Sequence, residues 1–443
     1  MNKYDIIGIG FGPANIALAV AMEELYPEMS AVYFERKAKC MWHPNMLFDG
    51  ADIQNHPLRD FVTPRNPRSY YSFTNYLYEH ERLFEYLNLG VIFPPRNDYA
   101  KYIEWVAGHF TNKVKYNSEI VNIEYQENSA GYNYLITDNS GNEYFSKGVV
   151  LAPGRTPYIP DEFLHLDNDR TFHLTDYLQN IDNINSHKKI KNVAVVGSSQ
   201  SAVEIILNLN KTYPDINIYG VTRSFGYRQK DTSPFTGEVY FPEFVDYYYN
   251  VNKSDKKSLN NDLRYTNYSA VDSDILNELY LCIYTNKIDN RNNILLKNNS
   301  VVSNAVDTDN GVLLTVKDRY KNTSETTLVD AVILATGFRD IGTEERHEKI
   351  PKILSTIASF IEFDSDSTVN VDINYRVRMK SKVKNENPLF LNGLCESSHG
   401  MGDAGSFSLL SLRSEAIVSG LYNSIYGEEQ VSDIAEVLNV AVK

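Results

Sequence analysis

An α/β fold with two Rossmann-like domains is predicted by two glycine-rich segments that lie far apart in the chain. Each segment follows an apolar strand and opens a helical pattern, so backbone N–H groups and a helix N-terminus can face a pyrophosphate. The residues that form the two segments are Gly8, Gly10, Gly12, Pro13, Gly197, Ser199, Gln200 and Ser201. Two such segments predict two dinucleotides, and a chain that holds both is expected to pass a hydride from one to the other.

The first unit is a predicted strand–helix–strand motif, with strands at 4–9 and 30–35 and a helix at 15–25 between them. Glu35 ends the second strand, where an acidic side chain can accept hydrogen bonds from an adenosine ribose. A solvated charge at a strand end is the alternative for a single Glu, but its position in the unit favours the ribose. This unit is therefore predicted to bind FAD or another dinucleotide.

Four residues are candidates for the surroundings of a flavin ring. Trp42, His43 and Gln54 lie where the chain leaves the second strand and can wrap over the ring. Trp42 is equally well explained as a core residue, and His43 as an interior histidine rather than a proton carrier. Asp403 precedes the last predicted helix, whose N-terminus could face the pyrimidine edge of the flavin, although the segment alone indicates only a capped helix.

The segments after the first unit predict further helices at 72–87 and 99–110, followed by an antiparallel hairpin layer at 114–137. Two later apolar strands both end in a Gly turn, and Thr336 and Gly337 stand in the second of these turns. Strand ends of this kind commonly close a dinucleotide-binding domain. Both residues are therefore predicted to border a cofactor.

The second glycine-rich unit replaces two of the usual glycines by serine, whose small side chain still permits close approach of the backbone. Arg223 and Arg228 follow the second strand of this unit. An arginine there can pair with a 2′-phosphate, whereas an acidic residue would suit NADH. The pattern favours NADPH, with ordinary surface cations as the alternative.

These assignments predict three parts of the chain. Residues 1–160 and 335–443 form a discontinuous FAD-binding domain, and residues 161–235 and 288–334 form the NADPH-binding domain. Residues 236–287 are rich in Tyr, Asn and charge and are predicted to be a small, mostly helical substrate-binding region. A chain of 443 residues is long enough for each of these parts to have its own hydrophobic core.

Composition narrows the class of protein. A formal net charge of −14 argues against a nucleic-acid or anionic-membrane partner. Cys40, Cys282 and Cys395 are isolated, with no CxxC pair and no metal-ligand spacing, which suits a reducing cytosol and predicts no metal. No segment approaches the roughly 20 apolar residues that span a membrane, and no signal-peptide pattern is present. A cytoplasmic protein is expected.

The motifs in their order resemble the flavin-dependent N-hydroxylating monooxygenases that act on L-ornithine, L-lysine and related amines in hydroxamate siderophore biosynthesis. No single motif is specific, but the ordered series is, and it covers nearly the whole chain. The matching segments are 8–15, 42–44, 58–67, 197–202, 231–235, 266–269, 335–338 and 399–403.

The resemblance implies that NADPH reduces FAD, that O2 adds to the reduced ring as a C4a-hydroperoxide, and that a neutral primary amine takes the distal oxygen. The protein then mainly positions the reactants and excludes water. Asn267, in the family's Thr-Asn-Tyr-Ser segment, would be catalytic by holding the nicotinamide ribose and the reacting amine, and Gln54 would line the flavin. Because family members are often tetramers, a homotetramer is the corresponding expectation.

Three departures from the family concern the substrate. Arg59 replaces a Lys that contacts the substrate carboxylate, which Arg can also do, and Gly237 replaces an Asn that helps to hold the substrate headgroup. Ser408 belongs to a loop one residue longer than usual. These changes predict a decarboxylated amine, such as histamine or a diamine like putrescine. Hydroxylation of L-ornithine at N5 or of L-lysine at N6 is the alternative.

Other classes of flavoprotein remain possible at this point. A disulfide reductase needs a redox cysteine pair that the sequence lacks. A sulfide-oxidising or Baeyer–Villiger monooxygenase has a linker signature that segment 172–177 matches only in part. A non-catalytic, NADPH-sensing flavoprotein is compatible with the absence of an acid–base pair, although hydroperoxide chemistry predicts the same absence.

Overall fold

Three β-sheets organise the computed structural model, which describes residues 2–127, 130–166, 168–381 and 387–427. The part of the predicted FAD-binding domain at 428–443 lies outside the described residues. The strands, in chain order, are β1 Asn2–Ile9, β2 Ala31–Phe34, β3 Val114–Lys115, β4 Ile120–Tyr125, β5 Tyr134–Asp138, β6 Glu143–Leu151, β7 Thr171–His173, β8 Asn192–Val196, β9 Asn217–Val221, β10 Ile294–Lys297, β11 Ser300–Thr308, β12 Gly311–Asp318, β13 Ser324–Val329, β14 Ala331–Leu334 and β15 Leu389–Leu391. The helices are α1 Pro13–Leu25, α2 Phe73–Glu79, α3 Leu83–Leu89, α4 Arg96–Gly108, α5 Tyr177–His187, α6 Gln200–Thr212, α7 Pro242–Asn250, α8 Lys253–Asp262, α9 Ser273–Ile288, α10 Glu396–His399 and α11 Leu410–Tyr426.

The first sheet has the strand order β3-β2-β1-β6-β5-β4, and β15 pairs with β6. Strands β3, β2, β1, β6 and β15 run parallel, whereas β4, β5 and β6 pair antiparallel. Ile7 lies opposite Val32 on one side and Val149 on the other, and all three are buried. Buried apolar runs of this kind in central strands are typical of parallel sheets that are covered on both faces. Helix α1 packs against α11.

The second sheet is entirely parallel, with the order β10-β9-β8-β14-β7. Helix α6 follows β8 and packs on α9. The third sheet, β11-β12-β13, is antiparallel, and its Leu314 shares one apolar core with Val221 and Val332 of the second sheet. The parallel strands of the first two sheets, with their glycine turns, confirm the predicted pair of Rossmann-like units.

Several sequence-based boundaries need correction. The helix predicted at 72–87 is two helices, α2 and α3, because Glu81 between them has a left-handed φ of 57°. Strand β3 was expected in a hairpin layer but pairs parallel with β2, whereas β4 and β5 are antiparallel as predicted. Region 236–287 is mostly helical, as expected, and contains α7, α8 and most of α9.

One stretch of the predicted FAD-binding domain packs elsewhere. Met46, Phe48 and Ala51 belong to the core beneath the second sheet rather than the first. The Phe48 ring lies 5.9 Å from that of Tyr177 on α5, in an edge-to-face arrangement. This stretch therefore joins the two units. Within the described ranges, no helix combines the length and apolarity needed to cross a bilayer.

Candidate active site

The first glycine turn has the geometry of a phosphate cradle. A Cβ on Gly8 would lie 2.2 Å from the Tyr33 ring. Gly10 has a φ of +84°, and a Cβ there would lie 2.2 Å from the Ala152 carbonyl oxygen. Only glycine therefore lets the turn approach β2 and the end of β6. By contrast, a Cβ on Gly12, at the start of α1, would meet no atom within 4 Å, so the helix N-terminus faces open space that fits a pyrophosphate.

Two further residues shape this turn. Pro13 occupies the first turn of α1, where its missing N–H costs no hydrogen bond. Glu35 is half-buried at the end of β2, and its carboxylate accepts hydrogen bonds of 3.0 Å from the backbone N–H groups of Phe11 and Lys37. These bonds fix the carboxylate beside the glycine turn. The position is suitable for binding a ribose, which stays a prediction.

Trp42 and His43 lie at the edge of a recess. His43 is exposed to solvent, yet desolvation by the surrounding protein lowers its pKa to about 4, and the nearby Arg96 cation acts in the same direction. A side chain that is both accessible and enclosed faces a hollow rather than the outer surface. The Trp42 ring lies 5.7 Å from the Phe407 ring, so it belongs to an aromatic cluster beside that hollow. His43 is neutral at neutral pH.

The second glycine turn repeats the close approach of the first. A Cβ on Gly197 would lie 2.3 Å from the Ala335 carbonyl oxygen. Ser199 precedes α6, and its hydroxyl makes no capping bond to the helix; half-buried Ser201 lies in the first turn. Both serines leave the N-terminus of α6 open to a phosphate.

The side chain of Gln200 is hydrogen-bonded within the protein, and its predicted contact with a cofactor stays a prediction. It is buried, its Oε1 accepts the Asp272 backbone N–H at 2.9 Å, and its Nε2 donates to Glu204 at 3.2 Å. Gln200 therefore ties the second turn to the segment before α9. Only its backbone N–H is near the helix start, and that donates to the Ala270 carbonyl.

Several arginines gather beyond β9. Arg223 and Arg228 are exposed, and the Arg228 guanidinium lies 4.7 Å over the Tyr265 ring. Burial lowers the pKa of Arg264, and the cations Arg346 and Arg223 lower it further. A partly buried guanidinium among other cations favours an anionic ligand. This cluster is a suitable site for the 2′-phosphate of NADPH.

Gln54 lies at the contact between the two units, with a left-handed φ of 51°. Its Nε2 donates to the Asp272 carboxylate, which also lies 3.8 Å from the Lys230 ammonium. Arg96 and Glu204 form a second bridge at 3.0 Å. Sequence analysis missed these partners, because none of them belongs to a motif. The predicted contact of Gln54 with the flavin stays a prediction.

Two of the three predicted substrate residues, Arg59 and Ser408, contact each other, and further contacts connect them to the segment of Asn267. Arg59 Nη1 donates to Ser408 Oγ at 3.3 Å, and its guanidinium lies 5.9 Å over the Tyr240 ring. The Tyr240 hydroxyl donates to the carbonyl of Thr266, next to Asn267, at 3.2 Å. A Cβ on Gly237 would meet no atom within 4 Å, so the position opens into free space.

Two side chains in this pocket are available to a ligand. Across the part of the chain that the structure describes, Arg59 forms no ion pair with a carboxylate, although it is half-buried. The half-buried side chain of Asn267 likewise has no hydrogen-bond partner among the described residues. Since half-buried polar groups cost free energy unless they are satisfied, both are candidates for substrate contacts.

The remaining predicted cofactor residues have mainly structural contacts. Thr336 Oγ1 donates to the Tyr158 carbonyl, and the Gly337 carbonyl lies 2.9 Å from His173 Nε2. The Asp403 carboxylate is buried, accepts the Cys395 backbone N–H at 2.7 Å and pairs with Arg413 at 2.8 Å. Its side chain is fully used in shaping the loop 403–408. Asp403 could offer a cofactor only its backbone.

A buried polar cluster beside the pocket was not predicted. It consists of Arg155, Asp340, Glu396 and Tyr268, which come from four separate segments. Burial, together with the Asp340 charge, raises the pKa of Glu396 to about 8, although Arg155 opposes the shift. Tyr268 belongs to the motif segment 266–269 and Glu396 lies three residues before segment 399–403, so the family motifs were the available signal.

Known proteins are similar to this chain in both sequence and fold. A family model described as L-lysine 6-monooxygenase/L-ornithine 5-monooxygenase matches residues 2–340. The L-ornithine N(5)-monooxygenase of Pseudomonas aeruginosa is 32% identical over 433 residues, which cover 95% of this chain and 94% of that protein. The solved ornithine N-hydroxylase of Kutzneria sp. 744 has a TM-score of 0.87 and 28% identity, covering 95% of this chain and 99% of that one. The L-lysine 6-monooxygenase of Pseudomonas syringae has a TM-score of 0.84 and 31% identity, covering 95% and 100%.

These similarities agree with the two glycine turns and the second parallel sheet. They confirm the predicted enzyme class and its two cofactors, and they exclude a disulfide reductase or a non-catalytic sensor as the better explanation. The chain therefore belongs to the L-lysine 6-monooxygenase/L-ornithine 5-monooxygenase family, whose members are flavin-dependent N-hydroxylating enzymes.

Proposed function

We propose that this enzyme hydroxylates the side-chain nitrogen of an L-α-amino acid, with L-ornithine as the first candidate, and so supplies a hydroxylamine for siderophore biosynthesis. The observation that carries the proposal is Arg59, a half-buried guanidinium that has no carboxylate partner within the described ranges. A planar guanidinium can bind a carboxylate through two parallel hydrogen bonds. The similarity to ornithine and lysine monooxygenases supports the same substrate class.

The residues of the two glycine turns and of the amine pocket would bind two cofactors and one amine. The first turn and Glu35 would hold FAD, and the second turn with Arg223 would hold NADPH. Bound FAD, once reduced by NADPH, supplies the activated oxygen. Asn267 would orient the amine through its free side-chain amide. These roles assign the FAD-binding domain to the unit of the first sheet and the NADPH-binding domain to that of the second.

Water exclusion falls to an aromatic wall beneath the loop 403–408. The Phe407 ring lies 5.7 Å from Trp42, 5.8 Å from Phe61 and 5.1 Å from Tyr99. Such a dry wall beside the recess would keep solvent from discharging the activated oxygen before the amine takes it. The substrate nitrogen must be uncharged to react, and an apolar wall also favours its neutral form.

A decarboxylated amine is the second candidate. The open space at Gly237 removes one headgroup contact and so favours this class, in which histamine and putrescine are the simplest members. A diamine, however, would bring a second ammonium close to the Arg59 guanidinium. Because like charges repel strongly in a partly buried pocket, this arrangement is less favourable than a carboxylate there.

A substrate panel tests the proposal. Purified holoenzyme is supplied with NADPH and air, and hydroxylamine formation is followed by mass spectrometry for L-ornithine, L-lysine, putrescine, cadaverine and histamine. The highest ratio of hydroxylamine to NADPH consumed is expected for one of the two amino acids. A higher ratio for a decarboxylated amine would overturn the substrate assignment, and peroxide alone from every amine would overturn the activity.

We also propose that the enzyme is a cytoplasmic homotetramer. Helix α9 exposes four large apolar side chains, at Tyr280, Leu281, Tyr284 and Ile288. Contiguous exposed apolar side chains are typical of interaction surfaces. Light scattering coupled to size-exclusion chromatography measures the mass directly, and a monomer at micromolar concentration would contradict this assembly.

A further inference from the structure

The buried polar cluster beside the amine pocket centres on one hydroxyl group. The Tyr268 hydroxyl donates to Glu396 Oε1 and accepts from Arg155 Nη1 at 3.2 Å. Arg155 Nη1 also lies 2.9 Å from Asp340 Oδ1 and 3.4 Å from Glu396 Oε2. The side chains of the three charged residues are at most 14% exposed. If one partner moves away, a buried charged or polar group loses its hydrogen bonds, which is costly. The network therefore holds its members in place.

The cluster lies where the chain passes between the two Rossmann-like units. Arg155 follows β6 at the first crossing, and Asp340 follows β14 at the second. Glu396 begins α10, beside the loop that carries Ser408, and Tyr268 comes from the segment before α9. The side chains of the cluster therefore connect both crossings to the segments that border the amine pocket.

Asn267 is held through the backbone. Its side chain has no partner among the described residues and its own backbone N–H donates to the Arg264 carbonyl at 3.3 Å, so the rest of its placement is set by its two neighbours in the chain. On one side, buried Thr266 donates to the Leu263 carbonyl at 2.6 Å. On the other side, the hydrogen bonds of Tyr268 within the described ranges are those of its backbone N–H, 2.7 Å from the Arg264 carbonyl, and of its hydroxyl in the cluster.

We propose that Arg155, Asp340 and Glu396 hold the Tyr268 hydroxyl and thereby position Asn267 against the reacting amine. These are positioning residues, since they act through Tyr268 and not by contact with the substrate. The inference rests on the proposed role of Asn267 in N-hydroxylation. It assigns a function to four residues outside the glycine turns and the Arg59 pocket.

Removal of one hydroxyl tests the inference. In Tyr268→Phe the ring stays while both hydrogen bonds to charged groups are lost, and we expect the ratio of hydroxylamine to NADPH consumed to fall about tenfold. The KM for the amine should rise, while the FAD content stays within twofold of the wild type. Calorimetric titration of the NADP+-bound holoenzyme with L-ornithine should show the same weakening without turnover.

A second pair of variants separates positioning from general destabilisation. Glu396→Ala should lose coupling, and Glu396→Gln, which keeps an acceptor for the Tyr268 hydroxyl, should recover most of it. Tyr76→Phe is the matched control, because the Tyr76 hydroxyl likewise donates to an aspartate, Asp98 at 3.2 Å, and accepts from an arginine, Arg82 at 2.8 Å. That hydroxyl contacts none of the pocket residues, so coupling should be unchanged.

The results separate a failure of the positioning role from a failure of the proposed function. If the wild type forms hydroxylamine but Tyr268→Phe and Glu396→Ala stay coupled within twofold of it, the positioning role is wrong and the proposed function stands. Equal losses in Tyr268→Phe and Tyr76→Phe would also overturn it, because the effect would then be general. If the wild type hydroxylates no amine, the proposed function and this inference both fail.

Discussion

Two arginines border the amine pocket and differ in what surrounds them. Arg155 lies within 3.4 Å of two carboxylates, those of Asp340 and Glu396. Arg59 donates to one serine hydroxyl and stacks on one tyrosine ring, with no carboxylate partner within the described ranges. The paired arginine is used by the fold, whereas the unpaired one is free to bind a ligand. Substitutions in and around the two arginine sites should therefore differ in their effects.

Replacement of the unpaired arginine should have the largest effect. In Arg59→Ala we expect the KM for L-ornithine to rise roughly 10- to 100-fold, because a charge-assisted contact with the substrate carboxylate is lost. The KM for putrescine should stay nearly constant or fall. Steady-state NADPH oxidation and product mass spectrometry measure both. Arg68→Ala, at an exposed arginine, is the control, and equal changes for the two amines would refute a carboxylate contact.

Asn267→Ala should have the next largest effect. We expect coupling and amine affinity each to fall about tenfold while FAD stays bound, because the amide has no partner among the described residues to lose. Flavin absorbance after gel filtration reports retention, and mass spectrometry reports the hydroxylamine. Loss of flavin with normal coupling in the remaining holoenzyme would show that Asn267 is misplaced in this scheme.

The cluster around Arg155 should make the stability of the folded protein depend on pH. Burial raises the pKa of Glu396 in the folded protein to about 8 from an ordinary value near 4.5. A raised folded-state pKa means that this contribution to stability is fully present below pH 4.5 and is lost as pH rises through 8. The melting temperature of the wild type should therefore fall more between pH 6 and 9 than that of Glu396→Gln, which cannot ionise.

Differential scanning fluorimetry of both holoenzymes across this range measures the difference. The groups that face Glu396 are Arg155, Asp340, Tyr268 and Asp403, and they are unchanged in the variant. Parallel curves for the two proteins would show that Glu396 is ionised throughout, with Arg155 outweighing the cost of burial.

Sequence alone predicted the parts of this molecule that depend on local order. The two glycine turns, the strand before each and the helix after each follow from residue types a few positions apart, such as Gly12 and Pro13 at the start of α1. Arg59 and Ser408 were placed in one pocket, and they meet at 3.3 Å. That prediction came from the family resemblance and not from the periodicity of the sequence.

The contacts that sequence did not predict join distant segments. Gln54 bonds Asp272, which is 218 residues away, and Arg155 meets Glu396 across 241 residues. Such pairs depend on how the two units dock, and no local pattern encodes docking. The same holds for Met46, which packs into the second core. The break between α2 and α3 was missed for a different reason, because a single left-handed residue, Glu81, ends an otherwise helical pattern.

The smallest expected effect comes from filling the open space at Gly237. A Cβ on Gly237 meets no atom within 4 Å, and the residue has no left-handed φ, so a side chain fits without strain. Gly237→Asn should add one hydrogen bond to the amino-acid headgroup and lower the KM for L-ornithine about threefold, a modest gain because a net hydrogen bond contributes only about 0.5–1.5 kcal/mol. Gly237→Ala, which fills space without a polar group, is the control. If the Asn variant instead binds L-ornithine more weakly than the Ala variant, the headgroup lies elsewhere and Arg59 alone defines the carboxylate end of the pocket.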